Sequence, residues 1–265
     1  MTPVATSGLD GLRVLITRPA AQSALLREQL ASAGAQVRSL PLLQILPPRD
    51  PAAAAECLRS GLGAHLWLFT SANAVRGAAR IGIAAGVRPA DWPQTLIAIG
   101  RGTATALAAL DRSSQAPEGA TSEALLRWPE LQGVEGREIR VVTGEGGRGL
   151  IAETLSERGA RVRVARCYRR ERVAHAAEEV QAALAGVQVV VLTGGESLEA
   201  LVERVPPAQR AALFQLTLVV PSNRVVELAR RLGFTGALLV PDAVSDAAYL
   251  ARLLRWRQGL DTNEQ

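Results

Sequence analysis

The chain has 265 residues, a formal net charge of +5 and a hydrophobic content of 48%, which allow one large or two ordinary domains with buried cores. No apolar run reaches the roughly 18 residues that a membrane-spanning helix needs. The start lacks the segments of a signal peptide, so we expect a cytoplasmic protein without membrane contact. All 30 basic residues are arginine, which excludes a Schiff-base lysine of the pyridoxal phosphate type and a P-loop lysine.

Nucleic acid is not an expected partner, and disulfides are not an expected source of stability. The arginines are dispersed among glutamates, and aromatic residues make up only 3% of the chain, which is too few for a base-stacking platform. The two cysteines, Cys57 and Cys167, cannot form a disulfide framework, so we expect both to stay reduced.

One pattern recurs along the chain: a short apolar strand ends in a small polar or glycine turn, and a helical pattern follows. Such units build parallel sheets whose turns gather at the carboxyl edge, where ligands bind. Each turn also brings helix N–H groups and a positive dipole end, which suit anions. The strands and turns are Leu12–Ile16 with Thr17-Arg18-Pro19, Leu66–Phe69 with Thr70-Ser71-Ala72-Asn73, Leu96–Ile99 with Gly100-Arg101-Gly102-Thr103, Ile139–Val142 with Thr143-Gly144-Glu145-Gly146-Gly147-Arg148, Val187–Leu192 with Thr193-Gly194-Gly195-Glu196-Ser197, and Leu216–Val220 with Pro221-Ser222-Asn223-Arg224.

Two irregular stretches interrupt about ten predicted strands. The first unit predicts a strand, a helix from Ala20 to Ala33 and a strand at Val37–Leu40. The segment 41–48 is apolar and bracketed by prolines, which suits a linker or an edge strand. After a strand at Arg161–Ala165, the charged stretch 166–172 has no helical turn behind it.

We therefore predict a discontinuous division of the chain. One α/β domain comprises 1–38 and 173–259, a second comprises 46–166, and 39–45 with 167–172 form a two-stranded linker. Residues 260–265 are expected to be a disordered tail. The alternative is two sequential domains with a boundary near residue 130.

The hydroxyl and amide residues of these turns stand where helix N-caps stand, so capping and ligand binding are both open to them. The residues with this pattern are Ser71, Asn73, Thr103, Ser197 and Ser222. The run Gly144–Gly149 fits G-x-G-x-x-G after a strand, which favours an NAD(P)-dependent oxidoreductase as an alternative. The next strand ends without an acid for a ribose, although Arg166 suits a 2′-phosphate.

Other catalytic constellations are missing from the sequence. His65 and His175 are far apart and lack metal-ligand neighbours, so no metal site is expected. No spacing marks a Ser-His-Asp set. The aspartates near helix ends or loops are interpreted as solvated caps; they are Asp91, Asp111, Asp242 and Asp246. Tyr168 lies in the second irregular stretch, where it is either a packing residue or a phenol that faces the ligand.

The ordered set of segments resembles the uroporphyrinogen-III synthase family over roughly residues 12–255. One departure is Thr193-Gly194-Gly195, where the family pattern has Thr-Ser or Ser-Ser, which puts the side-chain role of position 194 in doubt. The segments that carry the resemblance are Leu15–Pro19, Phe69–Val75, Ala98–Ala104, Gly144–Arg148, Cys167–Arg170, Pro221–Arg224 and Leu232–Phe234.

The resemblance implies two Rossmann- or flavodoxin-like α/β domains on a two-stranded linker, with the active site in the interdomain cleft. It implies cyclisation of hydroxymethylbilane, a linear tetrapyrrole with eight carboxylates. Water is lost, the terminal ring inverts through a spiro intermediate, and uroporphyrinogen III results. No cofactor or metal is implied. We expect a monomer that makes transient contact with the enzyme supplying the bilane. A non-catalytic binder of an acidic metabolite is the further alternative.

This chemistry assigns roles to the turns. The bilane closes spontaneously to the wrong isomer, so the enzyme's main task is orientation, for which spread hydrogen bonds suffice. Tyr168 is the candidate for assisting hydroxyl departure, and Thr103 is the candidate for contacting substrate. The predicted substrate-binding residues are Thr17, Arg18, Ser71, Ala72, Asn73, Gly100, Arg101, Gly102, Gly146, Gly147, Arg148, Thr193, Gly194, Ser197, Ser222, Asn223 and Arg224.

Overall fold

The computed structural model describes residues 8–117, 121–147 and 149–260. They form two compact units. Unit one contains the described residues up to Gln44 and from Glu171 onward, and unit two runs from Ile45 to Arg170. The chain thus enters unit two after Gln44 and leaves it after Arg170. These crossing points fall within the predicted segments 39–45 and 167–172. Of the predicted tail, 261–265 lie outside the described residues.

Unit one is a parallel sheet of five strands in the order β10-β9-β8-β1-β2. Its strands are β1 (Arg13–Ile16), β2 (Gln36–Ser39), β8 (Val189–Val191), β9 (Thr217–Val219) and β10 (Leu238–Leu239). Its helices are α1 (Ala24–Ser32), α7 (Ala177–Leu184), α8 (Gly195–Arg204), α9 (Arg210–Phe214), α10 (Asn223–Leu232) and α11 (Asp246–Arg257).

Unit two has a five-stranded sheet in the order β3-β7-β6-β4-β5, in which β7, β6, β4 and β5 are parallel. Its strands are β3 (Leu43–Leu46), β4 (Leu66–Phe69), β5 (Leu96–Ala98), β6 (Glu138–Gly144) and β7 (Arg161–Arg172). Its helices are α2 (Pro51–Arg59), α3 (Ala72–Ala84), α4 (Arg101–Ala108), α5 (Ser122–Leu126) and α6 (Leu150–Glu157).

Each sheet is covered on both faces, which explains why its central strands are continuous apolar runs. In β8, Val190 packs into one cluster, while Val189 and Val191 pack into another on the opposite face. In β4, Trp67 and Phe69 face one cluster, while Leu66 and Leu68 face the other. The predicted α/β class with parallel sheets is therefore confirmed, and ten strands lie within the described ranges.

Local signals in the sequence set most element boundaries. Asp50 caps α2 by accepting from the Ala53 N–H at 2.8 Å, and Pro51 occupies the first helical position. Helix α10 ends at Gly233, whose φ of 103° is the left-handed conformation that glycine adopts most readily. Strand β3 lies at the sheet edge, in agreement with the prediction that a proline-bracketed segment avoids a central position.

Two predicted elements were wrong in extent. The segment after Pro19 is not one helix, because a 3₁₀ turn at Ala20–Gln22 precedes α1. The strand at Arg161 does not stop at Ala165, because β7 continues through the charged stretch to Arg172. Alternation of charged and apolar residues along the first part of β7 keeps Arg161, Arg163 and Arg166 exposed while Ala165 and Cys167 are buried.

Candidate functional site

The carboxyl ends of parallel strands meet along one edge of the unit-two sheet, where β7, β6, β4 and β5 are neighbours. Helices α3, α4 and α6 begin just after β4, β5 and β6. Their first N–H groups lack intrahelical acceptors and attract anions. The predicted binding residues in these turns are Ser71, Ala72, Asn73, Gly100, Arg101, Gly102, Gly146 and Gly147, whereas Arg148 lies outside the described residues.

Ser71 is the N-cap of α3 and joins that turn to a tyrosine. Its backbone is extended, and its Oγ accepts from the Ala74 N–H at 3.1 Å. The same Oγ lies 3.1 Å from the Tyr168 hydroxyl. Next to it, the Thr70 hydroxyl donates to Thr143 Oγ1 at 2.8 Å, so the turns after β4 and β6 are tied together.

Tyr168 is placed by a β-bulge. Thr143 pairs with Arg166 and Gly144 pairs with Tyr168, so Cys167 is an extra residue in β7. Consecutive residues of a regular strand point to opposite faces, yet Cys167 and Tyr168 are both buried in the same apolar cluster. A Cβ atom at Gly144 would lie 2.5 Å from Tyr168 Cζ, so only glycine leaves room for the ring.

The turn before α4 differs from its prediction. The N-cap is Gly100, and Thr103 is the third helical residue with a side chain that is buried. Asn73 and Ser197 also lie inside their helices and are not caps, so capping was predicted wrongly for these three. Arg101 and Gly102 are exposed at the start of α4.

The glycine-rich turn after β6 is held from both sides. The Glu145 N–H donates to the Tyr168 carbonyl at 2.8 Å, and the Glu145 carboxylate accepts from the Arg49 N–H at 2.6 Å. Gly146 adopts a φ of 74°, and a Cβ there would meet nothing within 4 Å. The backbone of this turn therefore borders open space at Gly146, next to β7, the strand that carries Tyr168.

In unit one, the predicted residues after β1 are used inside the protein. Thr17 is fully buried, and its hydroxyl donates to the Val191 carbonyl at 2.9 Å. Arg18 is buried, forms an ion pair with Asp246, and stacks on Tyr249 with Cζ 4.4 Å from the ring centroid. The interpretation of Asp246 as a solvated cap is wrong, because its carboxylate pairs with the buried Arg18. Substrate binding by Arg18 stays a prediction, although its guanidinium already has this partner inside the unit.

The other strand-end turns of unit one provide mostly backbone. Ser197 is fully buried, and its hydroxyl donates to the Gly194 carbonyl at 2.8 Å while it accepts from the Thr193 N–H at 3.3 Å. Gly194 caps α8 with extended backbone and has no neighbour within 4 Å of a Cβ position, so a serine would fit. Ser222 stands at the N-cap position of α10 without a capping hydrogen bond from its side chain, and Asn223 and Arg224 are exposed.

Burial favours the protonated form of both cysteine thiols. Burial raises the pKa of the Cys167 thiol to about 12, which keeps it protonated at neutral pH. Burial also raises the pKa of Cys57, although Arg140 opposes this. No three His, Cys, Asp or Glu residues among those described are grouped to hold a metal ion, and no described helix is long and apolar enough to cross a membrane.

Sequence reasoning missed three contributors. The Arg170 guanidinium donates to the Tyr168 hydroxyl at 3.4 Å. Gly144 is predicted as part of a strand-end turn and a glycine run, not as the position that leaves space for the Tyr168 ring. Tyr249 had no predicted role. The sequence offers one signal for Arg170: in an extended segment, residues two apart lie on the same face of the strand, and Arg170 is two residues after Tyr168.

The structure defines an α/β protein whose strand-end turns in unit two present glycine backbone, helix starts and a hydrogen-bonded phenol. The family model described as Uroporphyrinogen-III synthase HemD matches residues 24–249. The chain belongs to the uroporphyrinogen-III synthase family.

Individual relatives agree with this assignment. The chain is 33% identical over 258 residues to uroporphyrinogen-III synthase of Salmonella typhimurium, covering 89% of this chain and 98% of the relative. It is 32% identical over 243 residues to the Escherichia coli enzyme, with the same coverage.

Solved structures agree in fold. A mutant uroporphyrinogen III synthase from Thermus thermophilus has a TM-score of 0.64 at 20% identity, covering 95% of this chain and 100% of that one. The Helicobacter pylori enzyme has a TM-score of 0.57 at 12% identity, covering 92% of this chain and 99% of that one.

Proposed function

We propose that the protein is a cyclising hydro-lyase that converts hydroxymethylbilane to uroporphyrinogen III, and that unit two carries the acid step. The observation that carries the proposal is the family match over most of the chain together with a phenol at the strand-end edge. The oxidoreductase alternative is not favoured, because the family match is to a different enzyme class.

Substrate carboxylates are proposed to bind at the helix starts. The backbone of residues 71–73, 100–102 and 146–147 lines the unit-two edge, and exposed Arg101 adds a positive charge there. In unit one, the backbone of Thr193 and Gly194 and the exposed Asn223 and Arg224 remain candidates. Thr17, Arg18 and Ser197 are reassigned to holding their turns in shape, because internal partners occupy their side chains.

Tyr168 is proposed to give its proton to the departing hydroxyl, so that water leaves. The ring is buried, so the step would take place largely away from solvent. Thr103 remains a second candidate, and its buried side chain would reach only a substrate atom that enters the turn at Gly100. Apart from this proton transfer, the binding residues orient the two ends of the bilane. Their orientation decides between closure to the type III and the type I isomer.

The test is to incubate the full chain with hydroxymethylbilane and to resolve the two isomers chromatographically. We expect the type III isomer, whereas the reaction without protein gives type I. A protein that binds the bilane and leaves the isomer ratio unchanged would be a non-catalytic binder. We also propose a cytoplasmic location, since Cys57 and Cys167 are unpaired thiols. A monomer and contact with the enzyme that supplies the bilane stay predictions.

A further inference from the structure

Two polar side chains converge on the Tyr168 hydroxyl. Ser71 Oγ lies 3.1 Å from it, and Arg170 Nη1 lies 3.4 Å from it. Ser71 in turn begins α3, a helix of 13 residues, so the positive end of that helix lies beside the Ser71 hydroxyl. Ring position is fixed independently, by the bulge at Cys167 and by the missing side chain of Gly144.

Hydrogen-bond accounting distinguishes two arrangements of the hydroxyl protons. Arg170 can only donate, so the Tyr168 oxygen accepts from it. Ser71 Oγ already accepts from the Ala74 N–H. If Tyr168 donates to Ser71, its proton is occupied. If Ser71 donates to Tyr168, the phenol oxygen accepts twice, and its own proton is free for a substrate.

The second arrangement also stabilises what the reaction leaves behind. When the Tyr168 proton moves to the leaving hydroxyl, the C–O bond breaks, its electron pair leaves with the oxygen as water, and a phenolate remains. That phenolate faces the Arg170 guanidinium and the Ser71 O–H, and hydrogen bonds to charged groups are stronger than neutral ones. The ring-closing carbon later releases one proton, which restores the phenol.

We propose that Ser71 is a positioning residue that directs the Tyr168 proton toward the substrate and, together with Arg170, stabilises the phenolate. This proposal rests on the proposed function of Tyr168. It differs from a carboxylate-binding role for Ser71, because the serine side chain acts through the tyrosine and not on the substrate. Its loss should therefore lower kcat and leave KM nearly unchanged.

The test compares Ser71→Ala with Ser71→Thr in the full chain, each with and without Tyr168→Phe. We expect Ser71→Ala to lower kcat about 10- to 100-fold, as for a lost hydrogen bond to a charged group, with KM changed less than about twofold. Ser71→Thr keeps a hydroxyl and should recover most of kcat. In the Tyr168→Phe background, Ser71→Ala should lower kcat by less than a further factor of about two.

Loss of the helix cap is controlled separately. Thr121 caps α5 in the same unit by accepting from the Ala124 N–H at 3.1 Å, and Thr121→Ala removes a cap without touching Tyr168. It should lower the thermal midpoint about as much as Ser71→Ala does and leave kcat unchanged. Equal kcat losses in both variants would overturn the proposal, because capping alone would then explain the effect.

Three other outcomes separate the claims. An undiminished kcat loss for Ser71→Ala in the Tyr168→Phe background would refute coupling and leave the proposed function standing. A raised KM at constant kcat would make Ser71 a substrate ligand instead. Failure of the wild-type chain to give the type III isomer would sink the proposed function itself, and the Ser71 proposal with it.

Discussion

The two units share one strand–turn–helix plan but use the polar residues of their turns differently. In unit one, the Thr17 hydroxyl, the Arg18 guanidinium and the Ser197 hydroxyl all bond within the unit. In unit two, Ser71 and Tyr168 bond to each other beside exposed Arg170. The same strand-end position is thus structural in one unit and, by our proposal, chemically active in the other, so position in the fold alone does not identify a functional side chain.

The two tyrosines offer the sharpest test of this contrast. Tyr168→Phe should lower kcat by up to about 10²–10⁴-fold, the range of general acid catalysis, with KM little changed. Tyr249→Phe is the matched control in unit one, since it removes one hydrogen bond to the Leu192 carbonyl. It should cost about 1 kcal/mol of unfolding free energy and leave kcat unchanged. Steady-state kinetics and urea unfolding measure both. Full activity in Tyr168→Phe would show that the polar residues of unit two are no more involved in the reaction than those of unit one.

Arg18→Ala tests whether the unit-one arginine is structural. It leaves Asp246 partly buried without its partner, so we expect a loss of about 3–5 kcal/mol in unfolding free energy. KM of the folded variant should change little. Arg18→Met with Asp246→Leu, which removes both charges, should cost much less. A large rise in KM without destabilisation would show that Arg18 binds substrate after all.

Gly144→Ala probes how tightly the tyrosine is held. The added Cβ would lie 2.5 Å from Tyr168 Cζ, so the ring must shift and the phenol proton moves from its place. We expect kcat to fall about 10-fold, because small displacements of a reacting group cost much of its effect. Gly63→Ala is the control in the same unit, where a Cβ meets nothing within 4 Å. Equal kcat values in the two variants would show that the exact position of the Tyr168 ring does not affect the reaction.

Gly194→Ser carries the smallest expected effect. The position has extended backbone and open space, so serine can cap α8 there. Because glycine is only slightly worse than serine as a cap, we expect a gain of a few tenths of a kcal/mol in unfolding free energy. Kinetics should change little if the turn contributes backbone alone. A clear fall in KM would instead reveal a side-chain role that this chain has lost.

Sequence patterns predicted the architecture because it depends on short-range signals. Apolar runs, prolines and glycine stops are local, and they gave the parallel α/β class and the edge position of β3. The site was predicted only in part. Tyr168 was singled out, yet the bulge at Cys167 that turns its ring into the core leaves no mark in composition or spacing.

Long-range pairing was beyond sequence reasoning. Arg18 and Asp246 are 228 positions apart, and neither residue type reveals that the other lies beside it. Thr17 likewise bonds to the carbonyl of Val191, 174 positions away. In a single sequence, an arginine that follows a strand has the same local pattern whether it binds a ligand or a distant carboxylate. Only the three-dimensional structure shows which of the two it contacts.

The way unit one is assembled has a consequence for synthesis on the ribosome. Strand β1 pairs with β8, so Val14 cannot form this pairing until Val189 has been synthesised. At typical translation rates that delay is on the order of ten to thirty-five seconds. Unit two, whose sequence is continuous, is complete before β8 appears. During that interval the apolar β1 has β2 on one side but lacks β8 on the other, and a chaperone that shields nascent chains would have its clearest task there.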